Sequence, residues 1–251
     1  MSYYNYGAIG KEQHYKSLYD FTVKMATVRT IRIYGDKLMK KIDMNTWDRK
    51  EIYDFFSKVS HPFYMVSFVT DVTELKAFTM RHACSFYYAL IFLCGKAMSR
   101  VENFRYICQG EDVYVIDERK PSFTDRKAGS ELFHIVTVPL DEDILSFCQS
   151  AKEASRRQDS FIDITQESFQ LAYFSCFPTL RLTALTNEFD VLAPDFSSDS
   201  IPRIAWGKYS EHNGRLELTI SVEVNHRFID GIHIEKFASC LERMIAELSE
   251  R

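Results

Sequence analysis

A histidine and an aspartate four residues apart, His226 and Asp230, stand where two kinds of spacing meet. Before them, residues 216–224 alternate apolar and polar side chains strictly, with β-branched residues well represented, which is the period of a half-buried strand. After them, Asp230-Gly231 supplies a turn, and Ile234, Phe237, Leu241, Met244 or Ile245 and Leu248 recur at helical spacing along one face. The histidine therefore ends a strand and the aspartate opens a helix. Neutral imidazole is the side chain best suited to take a proton from an alcohol near neutral pH. A loop at a strand end holds it on a rigid scaffold within reach of substrate. A plainer reading is also open, in which His226 is a satisfied turn residue and Asp230 merely caps the helix.

The elements that must position this pair follow from patterning. Residues 63–70 read as a strand, 72–79 as a short helix and 84–99 as a longer buried helix. Strands at 104–108 and 112–116 flank Gly110-Glu111 and predict a hairpin, and a last hairpin turns at His212-Asn213-Gly214. Residues 132–138 form another strand and 141–157 a helix that opens on acidic residues. Near the start, Asn45 or Thr46 is placed to cap a helix whose first turn carries Asp48 and Glu51. Alternating strands and helices without linker or repeat predict one α/β domain, residues 41–251. Residues 1–40 form an N-terminal extension with a helical pattern at 11–26 and a strand at 28–34, to which no chemistry is assigned.

Composition narrows the classes. A chain of 251 residues, 46% apolar and 14% aromatic, suffices for a substantial core. A net charge of −4 gives no reason to expect nucleic acid as a partner. No apolar run reaches membrane-spanning length, since the strongest, residues 86–94, is short and followed by Lys96 and Arg100. Residues 1–10 are polar and aromatic rather than leader-like, so a cytoplasmic location is expected. The six cysteines show no CxxC spacing and read as buried reduced thiols, with no metal site expected.

His-x-x-x-Asp-Gly at a strand–helix junction is the signature of the CoA-dependent acyltransferases. The wider string, Gly214-Arg215-Leu216 through Val224-Asn225-His226 and then Asp230-Gly231-Ile232-His233 and Phe237, resembles the chloramphenicol acetyltransferase family. The likeness runs from about residue 42 to the C-terminus. One departure lies inside the signature, where Asn225 replaces the first of two adjacent histidines. The resemblance implies a two-layer α/β sandwich with a mixed, largely antiparallel sheet, and a homotrimer with its active site between subunits. It implies transfer of acetyl from acetyl-CoA, a co-substrate, to a hydroxyl of chloramphenicol or a similar small acceptor, and hence antibiotic resistance.

The resemblance also assigns roles. His226 is the general base, and Asp230 is its supporting carboxylate. Arg49, in a Trp47-x-Arg49 motif followed by Phe55-Phe56, is the partner of Asp230. Ser175, in Phe174-Ser175-Cys176-Phe177-Pro178, donates to the oxyanion, and Lys208-Tyr209 lie near bound coenzyme. Phe55, Phe56, Tyr64 and Phe133 line the acceptor pocket. Two departures bear on the acceptor: Pro62 stands at a cysteine position, and Ala205 at a threonine position. Cys176 offers a thiol beside Ser175, but the family transfers the acyl group directly. Two alternatives remain: an acyltransferase for a different alcohol or thiol, and a non-catalytic CoA-binding relative.

Overall fold

The computed structural model describes residues 39–250, apart from 128, 167, 190, 191 and 193–198. The helix and strand expected at residues 11–26 and 28–34 lie outside the described residues. A seven-stranded mixed sheet dominates, in the order β2 (Phe63–Asp71), β10 (Arg215–Asn225), β8 (Arg203–Trp206), β7 (Leu171–Cys176), β5 (Lys120–Arg126) and β6 (Phe133–Thr137), with β9 (Ser210–His212) also paired to β10. The contacts β5–β7 and β7–β8 are parallel, and the others are antiparallel. A small antiparallel sheet joins β1 (Lys40–Lys41), β4 (Asp112–Val115) and β3 (Tyr106–Gln109).

The alternation seen in the sequence sets the layers. Leu218, Ile220, Val222 and Val224 of β10 are buried in one core with Phe237, Leu241 and Ile245 of α5 (Gly231–Ala246). The apolar helix α3 (Phe86–Ser99) completes that layer, flanked by α2 (Thr73–Arg81) and α4 (Ile144–Arg157). Ser85 and Asp143 cap α3 and α4 with side-chain oxygens. Both expected hairpins close on two residues, Gly110-Glu111 and Asn213-Gly214. Asn213 and Gly214 both adopt positive φ, 51° and 76°, as the tight hairpin turn requires.

Two expectations are corrected. The strand read at 104–108 starts later: Glu102–Arg105 is a 3₁₀ turn, with the Phe104 N–H bonded back to the Val101 carbonyl at 3.0 Å, and β3 begins at Tyr106. The first helix, α1 (Lys50–Phe56), is not capped by Asn45 or Thr46. Those residues form a turn on Asp43, and Arg49 itself stands at the helix start with no side-chain cap. Its guanidinium is engaged elsewhere.

Candidate active site

Strand β10 ends at Asn225, paired with Phe63, and the next residue, His226, hands its N–H to the Pro62 carbonyl at 2.7 Å. That bond keeps the histidine in line with the sheet while the chain turns away. The imidazole is about two-thirds buried. It stacks on Phe56 at 4.1 Å between ring centroids and lies against Tyr64 at 4.3 Å. Phe56 ends α1 and Tyr64 sits on β2, so a helix and a strand grip the ring from two sides.

The turn that follows is pinned by Arg49. Its Nη1 and Nη2 hold Asp230 Oδ2 and Oδ1, each at 2.5 Å, in a bidentate pair. Its Nε and Nη2 also hold the carbonyls of Arg227 and His226 at 2.8 and 2.9 Å. One guanidinium thus fixes both ends of residues 226–230. His226 Nε2 lies 3.4 Å from Asp230 Oδ1. Asp230 is also the N-cap residue of α5, so the plainer reading and the chemical one describe the same side chain.

Burial pushes the His226 pKa below its ordinary value, with Asp230 opposing and Arg49 reinforcing the shift. The ring is therefore neutral at pH 7. The Asp230 carboxyl is held below the usual range, chiefly by its bond to Arg49. A neutral imidazole, held in place and still one-third exposed beside a permanent ion pair, can accept a proton without first losing one.

Arg49, Phe56, Tyr64, His226 and Asp230 are thus brought together. Phe55 touches Phe56 but is itself exposed, lining an open groove of about 580 Å³ with Trp47 and charged residues of α1. The remaining candidates stand elsewhere in the chain. Ser175 lies on β7 opposite Ala205, which pairs with Ser221, five residues before His226 on β10. That places Ser175 about 17 Å along the sheet and about 10 Å across it from the histidine. Phe133, more than half exposed, starts β6, at the opposite edge of the seven-stranded sheet from β2. Lys208 is exposed, its N–H bonded to the Leu180 carbonyl at 2.6 Å, and Tyr209 packs on Phe86. Gly207 before them is needed, since a Cβ there would come within 2.3 Å of the same carbonyl.

Burial pushes the Cys176 thiol up to about 12, which makes it a poor nucleophile at neutral pH. No group of three potential metal ligands occurs among the described residues. No helix among them is long and apolar enough to cross a membrane. Two residues of the site have roles that the sequence did not assign. Pro62 contributes through its carbonyl, which no side-chain pattern announces. His233 contributes through a ring bond to the backbone of Asp230.

The chain matches the family model for chloramphenicol acetyltransferase over residues 38–242. The protein belongs to the chloramphenicol acetyltransferase family. It is 25% identical to chloramphenicol acetyltransferase 3 of Escherichia coli over 209 residues, covering 81% of this chain and 95% of that protein. It is 27% identical to the chloramphenicol acetyltransferase of Streptomyces acrimycini over 217 residues, 82% and 94% of the two chains. A solved chloramphenicol acetyltransferase superposes with a TM-score of 0.75 at 21% identity, over 83% of this chain and all of the other. The cubic core of the pyruvate dehydrogenase multienzyme complex shares the fold, with a TM-score of 0.60 at 15% identity, over 89% of this chain and 98% of that one. Membership of the family makes the protein an acyltransferase.

Proposed function

We propose that the protein moves acetyl from acetyl-CoA to a hydroxyl of a small acceptor, with His226 as general base. The observation that carries this is the neutral imidazole, gripped by Phe56 and Tyr64 on a turn locked by the Arg49–Asp230 pair. In the reaction His226 takes the acceptor's proton and the resulting alkoxide attacks the thioester carbonyl. The tetrahedral oxyanion accepts a bond from Ser175. The intermediate then collapses, and the proton leaves with the coenzyme thiolate. Lys208 attracts the nucleotide phosphates, and Tyr209 covers an apolar part of the coenzyme. The protein's own residues supply orientation and proton transfer, and no metal enters.

Within one chain Ser175 is too far from His226 to serve the same intermediate. The site is therefore built between copies, in a homotrimer, with Ser175 and Phe133 reaching a neighbour's His226, Phe56 and Tyr64. Exposure of Phe133 beside Phe161, itself 55% exposed, supports an apolar contact there. Chloramphenicol, which names the relatives, is the first acceptor to try. The protein then acts as a cytoplasmic resistance enzyme.

The test is release of free thiol from acetyl-CoA, followed spectrophotometrically, with chloramphenicol and a panel of other alcohols and thiols. Turnover with chloramphenicol supports the resistance role, and turnover with other acceptors alone reassigns the substrate. His226→Ala is expected to lose turnover by at least about a thousandfold while keeping its fold and assembly. Full activity in that variant removes His226 as the base.

A further inference from the structure

His233 lies in the first turn of α5, and its ring folds back onto the helix start. Its Nδ1 accepts the Asp230 backbone N–H at 2.9 Å and lies 3.9 Å from Asp230 Oδ2. This is the return half of a capping box, a place ordinarily filled by Glu or Gln. A histidine performs it only while Nδ1 keeps its lone pair, because an imidazolium has two donors and no acceptor. We propose that His233 is a positioning residue of the acyl-transfer site and its second acid-sensitive group, holding the start of α5 so that Asp230 meets Arg49 and the His226 turn stays aimed. This rests on His226 acting as the base and adds a control on how that base is held.

Asp230 is fixed from two sides, its carboxylate by Arg49 and its backbone N–H by His233. Releasing the N–H frees the backbone at the far end of the turn that carries His226. A misplacement of about 1 Å there is enough to slow chemistry appreciably. Protonation of His233 removes the bond and also sets a positive charge at a helix N-terminus, where the dipole opposes it. The charged groups that bear on the ring are Arg49 from α1 and Asp230 and Lys236 from its own helix. Only Asp230 favours the cation, and that carboxylate already serves Arg49. Burial and then Arg49 hold the His233 pKa below its ordinary value, so the cap is intact at neutral pH and is lost on acidification.

Two variants test this. His233→Gln restores an acceptor that does not titrate, and His233→Ala supplies none. The Ala variant is expected to lose about tenfold in kcat with little change in either KM, and Gln to recover it to within about twofold at pH 8. On the acid side, log kcat/KM of the unaltered protein should fall with a slope steeper than 1, up to about 1.5, over about one pH unit before returning to about 1, whereas that of the Gln variant keeps a slope of about 1 throughout. An Ala variant with undiminished kcat, or a Gln variant that keeps the steeper slope, overturns the proposal. Ring ¹⁵N spectra give a readout that needs no turnover. They should show Nδ1 of His233 bare at pH 8, and a His226 titration midpoint that rises toward 6.5 in the Ala variant alone. An unmoved midpoint also overturns it. Absence of turnover with every acceptor in the unaltered protein would instead count against acyl transfer itself.

Discussion

Two buried arginines organise two regions of this protein in opposite ways. Arg119, 3% exposed, gives every nitrogen of its guanidinium to backbone carbonyls: Phe104, Tyr106, Phe169, Leu171 and Ser200. None of these acceptors is a carboxylate. Burial accordingly pushes its pKa down to about 9, which still leaves it cationic at neutral pH. Arg49, 8% exposed, divides its donors between two carbonyls of the 226–230 turn and the carboxylate of Asp230. The same five-donor fork knits β3, β7 and their flanking loops in one place, and in the other ties the turn that carries His226 to a fixed charge. Where an arginine meets neutral oxygens alone it is scaffold. Where it also meets a carboxylate it transmits orientation.

The largest effect should come from breaking the scaffold arginine. Arg119→Met leaves five carbonyl acceptors without a donor and is expected to cost about 3–5 kcal/mol, read as a lower urea midpoint. Turnover per folded molecule should be unchanged. Next comes Asp230→Asn, which keeps the shape and removes the charge that faces Arg49. It should cost about a hundredfold in kcat and much less in stability than the Arg119 change. If the Met variant lost activity in its folded fraction as steeply as the Asn variant, the two regions would not be separable as scaffold and aim.

A further difference is that the scaffold region is complete in one chain, whereas the proposed reaction needs Ser175 from another. Ser175→Ala and His226→Ala chains, each nearly inactive alone, should therefore complement when co-expressed. A random mixture of equal amounts pairs an intact His226 with an intact neighbouring Ser175 at about one site in four, so about a quarter of normal turnover returns. No recovery in verified mixed assemblies would place both groups in one subunit's reaction, against the geometry of β7 and β10.

How legible these regions were differs in the same way. The β10–α5 junction was readable because period-2 alternation gives way to helical spacing at a turn, and the core then follows that pattern. The two-residue hairpins were readable from Gly110 and Asn213-Gly214, whose positive φ the turns demand. Strand β5, Lys-Pro-Ser-Phe-Thr-Asp-Arg, was not readable. It has little apolar alternation and is a strand because β6 and β7 pair with it on both sides. Arg119 was invisible for a related reason, since its partners are carbonyls and any residue can supply one. Arg49, Asp230 and His226 were found as a set through family likeness. Spacing alone puts Arg49 on an ordinary charged helix and makes Asn45 or Thr46 its cap. His233 was passed over because a histidine is not the usual residue at that capping position.

The smallest expected effect tests whether burial by Phe56, rather than charge, sets the state of His226. Phe56→Leu keeps an apolar side chain but removes the face stacked at 4.1 Å, letting water reach the ring. Burial is the largest cause lowering the His226 pKa, so the variant's pKa should move up toward 6.5. The sign for stability follows. Between the lowered folded value and 6.5 the unfolded chain binds more protons, so stability rises with pH across that window and is lost as pH falls. The variant narrows the window and flattens that rise. Activity should respond in the same direction, with the acid limb of kcat/KM displaced upward in pH and the plateau above it almost unchanged. Were the limb to stay put while Asp230→Asn moved it, the field of the Arg49–Asp230 pair would set the proton affinity of His226, and the aromatic sandwich would serve only to hold the ring still.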